Sequence, residues 1–74
     1  MIMSKKRLDI LKIKLLYPAG TRIRLIHMSD THAVPSGMLG TVTIVDDMGT
    51  IHMHWDNGRT LGLVFGEDEF EIVD

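Results

Sequence analysis

The sequence predicts a mainly β fold, a small five-stranded barrel preceded by one amphipathic helix, and three observations carry the prediction. Residues 40–64 read GTVTIVDDMGTIHMHWDNGRTLGLV, three runs of strand-forming residues broken by two turn signals. Those signals are Asp46-Asp47-Met48-Gly49, with glycine where a positive φ is needed, and Asn57-Gly58, the strongest short-range hairpin signal. The length of 74 residues allows one compact core that buries about 60% of the unfolded surface. With no cysteine, neither a disulfide nor a thiolate metal site can reinforce that core.

Each element follows in order. Ser4 can cap a helix whose Leu8, Leu11 and Leu15 recur at i, i+3 and i+7, with Ile10, Ile13 and Leu16 widening the stripe. Pro18 and Gly20 stop it, which sets residues 1–17 apart as a basic amphipathic helix from a barrel over residues 18–74. Thr21 to Met28 reads as the first strand, with Ile23, Leu25 and His27 on one face and Arg22, Arg24, Ile26 and Met28 on the other. From Ser29 to Leu39 the alternation lapses and Pro35, Ser36 and Gly37 mark a loop long enough to bind something. Thr41–Val45, Thr50–Trp55 and Thr60–Phe65 form a meander; Gly66 to Glu69 turns; Phe70–Val73 closes the set. Five strands with a long first loop describe an SH3-like small barrel. Trp55 continues the Ile51, Met53 face and is expected to fill the core with its indole N–H satisfied near the rim; the other reading places it beside Tyr17 or Phe65 in an exposed aromatic groove.

Three stretches carry a resemblance: PxGTRIRLIHM at Pro18 to Met28, PSGxxGTVxxVDDxGxI at Pro35 to Ile51, and WDNGRTLGL at Trp55 to Leu63. Through them the chain resembles a small family of domains of uncharacterised function carried by Firmicutes, their phages and their mobile elements, over Tyr17 to Val73. The resemblance implies a compact SH3-like barrel and a mobile-element context, and supplies no catalytic residues. The chain departs from it after Met28, where Ser29-Asp30-Thr31-His32 stands in place of Asp-Pro and an aromatic residue.

Charge is segregated along the chain. Residues 1–24 hold seven bases and one acid, a net +6, whereas residues 25–74 hold Arg59 against nine acids, a net −8. That pattern fits a basic arm for nucleic acid, an acidic face for a basic partner, or internal pairing between helix and barrel. No apolar stretch approaches the roughly 20 residues that span a bilayer, and Lys12 and Lys14 interrupt any signal-like core, so a cytoplasmic protein without membrane contact is expected.

The residue types that build active sites have turn roles here. Adjacent Asp46 and Asp47 would point to opposite faces of a strand, a poor arrangement for an acid–base pair, while Asx side chains cap turns. A five-stranded barrel of this size offers few buried titratable groups, so no enzyme activity is expected. His52 and His54 lie at i and i+2 on one strand face, about 7 Å apart, a spacing that suits two zinc ligands completed by Asp30 or His32. Alternation with Ile51, Met53 and Trp55 makes them ordinary solvent-facing residues instead, and no cofactor is expected.

The leading reading is a non-catalytic protein-binding module of a phage or mobile element, whose acidic surface would inhibit a host nuclease or defence complex. Its partner-binding residues are Asp30 and His32 in the long loop, Asp46 and Asp47, and Glu67, Asp68 and Glu69. The partner is a protein, one that itself binds nucleic acid; a homo-oligomer is compatible with the sequence. The alternative is a nucleic-acid-binding accessory protein that uses Lys5, Lys6, Arg7, Lys12 and Lys14 against phosphates.

Overall fold

A computed structural model describes residues 5–73, with side chains from Arg7 onward. The cap expected at Ser4 and the side chains of Lys5 and Lys6 lie outside the described residues. Helix α1 spans Lys5–Leu16, and strands β1 to β5 span Arg22–His27, Leu39–Val45, Thr50–Trp55, Leu63–Val64 and Glu69–Ile72. The strands form one antiparallel sheet in the order β4-β3-β2-β1-β5. Two residue runs keep the expected phase: Ile51, Met53 and Trp55 point inward and His52 and His54 outward along β3.

Consecutive strands β4 and β5 sit at opposite edges, joined only by Phe65–Asp68. Four strand spacings cover about 19 Å in a flat sheet. The connection is folded, because Glu67 and Asp68 both donate N–H bonds to the Val64 carbonyl at 3.1 and 3.0 Å. The sheet must therefore curl to bring its edges together. An isolated Phe65–Asp68 bridge lies within the connection itself, and among the described residues the edges share no ladder, so the sheet is curled but not closed.

Several expected details shift for physical reasons. A bulge between Leu25 and His27 inserts a residue opposite β5, which turns His27 outward and Met28 into the core, the reverse of simple alternation. A second bulge, between Val42 and Ile44, leaves Ile44 exposed and buries Val45. The run from Thr60 to Phe65 pairs only at Leu63–Val64, because the Trp55 indole Nε1–H takes the Leu61 carbonyl at 2.7 Å and holds that segment off the ladder. Asn57-Gly58 is not a two-residue turn. Gly58 donates to the Trp55 carbonyl and Trp55 to the Arg59 carbonyl, both at 2.8 Å, and only Gly58 has positive φ, the geometry of a three-residue loop with a bulge. The Asp46–Gly49 turn repeats it, with Gly49 at φ 88°.

The core consists of Ile23, Leu25, Val42, Val45, Ile51, Met53, Trp55 and Leu63 from strands, Met28 and Val34 from the long loop, and Ile13 from α1. Trp55 is fully buried, so the aromatic groove built on it does not exist. The helix packs on the sheet, but not by its leucine stripe: Ile13 is buried, Ile10 half-buried, and Leu8, Leu11, Leu15 and Leu16 exposed. Ile10 and Ile13 lie close to the bare backbone of Gly49 in the β2–β3 turn, where a Cβ would lie 3.3 Å from Ile10 Cγ1.

Candidate functional site

The β4–β5 turn is built by one carboxylate. Asp68 Oδ2 accepts the Val64 N–H at 2.8 Å and so caps the segment in which it lies. With Asp68 committed inward, the neighbouring Glu67 and Glu69 are exposed and make no side-chain hydrogen bond or ion pair among the described residues. Phe65 begins the same turn and stays half exposed at 51%. Its ring lies 6.2 Å from Tyr17 and 6.4 Å from Phe70, while Tyr17 and Phe70 meet edge-on at 5.5 Å. An aromatic cluster thus forms without tryptophan, supplied by the helix exit, the turn and β5.

Three clefts adjoin this turn. One, of about 580 Å³, runs between Met28, Ser29 and Asp30 of the long loop and Val64, Glu67 and Asp68. It brings the sequence-predicted Asp30 to the Glu67–Asp68 segment. A second lies among Tyr17, Ile26, Phe65, Glu69 and Phe70. The third separates α1 from the sheet and is lined by Asp9, Lys12, Ile13, Leu16 and Phe65. Phe65 is shared by the last two, so apolar and acidic surface alternate around one turn.

The other predicted acids have structural work. Asp30 Oδ1 accepts the His32 N–H at 2.7 Å, an Asx turn that starts the long loop. His32 is exposed, and its carbonyl accepts the Arg59 guanidinium, which also reaches the Ala33 carbonyl at 3.2 Å. Arg59 therefore ties the loop to the β3–β4 connection. Sequence reasoning passed over it, although it is the one base after Arg24. The loop is pinned elsewhere too: Gly37 donates to the Leu25 carbonyl, Leu25 to the Met38 carbonyl, and Val34 plugs the core.

Asp46 caps its own turn by accepting the Met48 and Thr50 N–H groups at 2.9 Å, and its second oxygen meets His52 Nε2 at 2.7 Å. Asp47 pairs with Lys14 at 2.7 Å. The carboxyl of Asp46 is held below its ordinary value by the His52 side chain and then by the Thr50 amide; that of Asp47 is lowered by Lys14. Arg22 binds Asp56 through two bonds at 2.8 Å and Thr41 at 2.9 Å, which lowers the Asp56 pKa and raises that of Arg22. Arg24 meets Glu71 at 2.8 Å. Three pairs thus join the basic and acidic halves of the chain, which is where part of the charge segregation is spent. Of the basic residues offered for phosphate binding, Lys14 is engaged in this way, while Lys12 has no ion-pair partner among the described residues.

The lowered carboxyl values have a sign. The unfolded chain, whose carboxyls titrate near 3.8, binds more protons on acidification than the folded one, so stability is present above that pH and lost below it. The melting temperature is expected to fall as the pH drops from about 5 through the lowered carboxyl values, and a variant combining Asp46→Asn, Asp47→Asn and Asp56→Asn to lose most of that slope. Calorimetry across the range checks it; a slope unchanged in the variant contradicts it.

His52 and His54 project from the outer face of β3, with His52 engaged by Asp46. Among the described residues no three His, Asp or Glu side chains converge as metal ligands. Nor, among them, is any helix long and apolar enough to cross a membrane.

The model of a domain of unknown function, DUF4314, matches residues 4–73. The chain belongs to that family. No curated protein and no solved structure matches it. In this DUF4314 chain the β4–β5 turn gathers the exposed aromatic and acidic groups, whereas Asp46 and Asp47 serve the β2–β3 turn and its contact with α1.

Proposed function

We propose that this DUF4314 domain is a non-catalytic protein-binding module, an SH3-like barrel in architecture, that docks a basic and apolar segment of a partner at the β4–β5 turn. The observation that carries this reading is the turn itself: Asp68 spends its charge on the backbone and leaves Glu67 and Glu69 outward beside a half-exposed Phe65. Exposed aromatic surface with an acidic rim suits a segment bearing Lys or Arg next to apolar side chains. Charge draws the segment in and the Tyr17, Phe65 and Phe70 rings supply the desolvated contact.

In its narrower form, the domain comes from a phage or mobile element and its acids occupy the basic groove of a host nuclease or defence complex. The resemblance noted above and the free carboxylates of Glu67 and Glu69 support that form. Affinity capture from cell lysate tests the general reading and competition the narrower one. Glu67→Lys with Glu69→Lys is expected to remove the captured protein while leaving the circular dichroism spectrum unchanged, and excess duplex DNA is expected to displace it from the wild-type domain. Capture that survives both charge reversals contradicts the module; a captured protein indifferent to DNA contradicts the nuclease form.

A further inference from the structure

Helix α1 has two apolar faces. Ile10 and Ile13 meet the sheet, while Leu8, Leu11 and Leu15, at i, i+3 and i+7, lie on the opposite side and are 44%, 41% and 82% exposed. Leu15 is the most open of the three, whereas Leu8 and Leu11 are each partly covered. The α1 sequence KKRLDILKIKLL carries five bases and one acid. Lys12 sits one turn from both Leu8 and Leu15, at the border of the leucine row, without an ion-pair partner among the described residues.

We propose that this face binds an acidic amphipathic helix of a partner protein, whose apolar row packs on Leu8, Leu11 and Leu15 and whose Asp or Glu side chains meet Lys12. Three leucines at this spacing form a seam that a second helix fills by knobs-into-holes packing. Charge selects among occupants. A second copy would set one strongly basic helix against another, an arrangement like charges oppose, whereas an acidic helix gains attraction along the same flanks. The leucine row is distinct from the β4–β5 turn, although Lys12 also lines the cleft that Phe65 bounds, so the domain would hold a basic segment at one place and an acidic helix at a neighbouring one.

The test uses the full chain and two synthetic helical peptides with leucine at the same spacing, one flanked by Glu and one by Lys. Fluorescence anisotropy is expected to show saturable binding of the Glu-flanked peptide only, weakened by high salt. Leu15→Glu and Leu11→Glu are each expected to weaken it by at least about tenfold, as loss of an apolar anchor does, and Leu15→Glu to leave the melting temperature unchanged because that side chain is 82% exposed. Equal binding of both peptides, binding of neither, or binding unaffected by the substitutions overturns the proposal. So does a dimer in sedimentation that Leu15→Glu disperses, or tighter binding to anionic vesicles than to the acidic peptide.

Discussion

Trp55→Ala is expected to leave the domain unfolded or on the edge of unfolding at 25 °C. The ring is fully buried and its Nε1–H is bonded to the Leu61 carbonyl, so truncation empties the centre of the core and removes the partner of a part-buried acceptor. Truncating a buried tryptophan costs about 3–5 kcal/mol. A chain of 74 residues has of the order of 4–11 kcal/mol of total stability, at roughly 0.05–0.15 kcal/mol per residue. One substitution therefore removes between about a quarter and all of it. A urea titration followed by circular dichroism checks this, and a midpoint equal to that of the wild type would show that Trp55 is not the keystone of the packing. Trp55→Phe, which keeps an aromatic ring and loses only the indole bond and part of the area, should unfold at an intermediate urea concentration.

Gly40→Ala has the second largest expected effect, and for the complementary reason. Gly40 stands opposite Trp55 in the β2–β3 ladder. A Cβ at position 40 would lie 2.6 Å from Trp55 Cε3, 3.0 Å from Trp55 Cδ2 and 3.0 Å from Met53 Cε. Gly40 is not among the positive-φ glycines, so the cost is steric alone. The indole cannot retreat, because it is enclosed and tethered by its N–H. Overpacking of this kind costs about 1–3 kcal/mol, which in a domain of this size lowers the melting temperature by roughly 5–20 °C. Thermal denaturation reads the shift directly. An unchanged transition would mean that the ring has room to move.

These two positions also show what the sequence made legible. Along β3 the period of two is unbroken from Ile51 to Trp55, so the burial of Trp55 and the outward position of His52 and His54 could be read from order alone. On β1 and β2 a bulge inserts a residue without any compositional mark, and the inward set beyond it, Met28 and Val45, could not be read that way. The helix misled in a different manner. Its leucines make the more regular stripe, yet Ile10 and Ile13 are the side chains that meet the β2–β3 turn at Gly49, a contact between residues distant in sequence.

The candidate site was legible in its charges and not in its aromatics. Glu67, Asp68 and Glu69 announce themselves as a run, but which of them is spent on the backbone depends on the Val64 N–H that Asp68 meets. Tyr17 reaches Phe65 and Phe70 only because α1 hands the chain to β1 beside β5. Charge segregation likewise announced itself, whereas the pairing of Arg22 with Asp56 and Arg24 with Glu71 follows from the fold of the sheet, and that of Lys14 with Asp47 from the packing of α1 on the β2–β3 turn. Among the charges those pairs leave uncommitted, Glu67 and Glu69 on one turn and Lys12 on α1 mark the two surfaces assigned to partners.

The β4–β5 turn as the docking surface is the claim on which the functional reading stands, and parallel affinity capture with three forms of the domain tests it most directly. Wild type, Phe65→Ala with Glu67→Lys and Glu69→Lys, and Leu15→Glu would be compared at matched circular dichroism. The account predicts a protein bearing an exposed basic segment that is captured by the first and third forms and lost from the second. Retention of that protein by the turn variant contradicts the account.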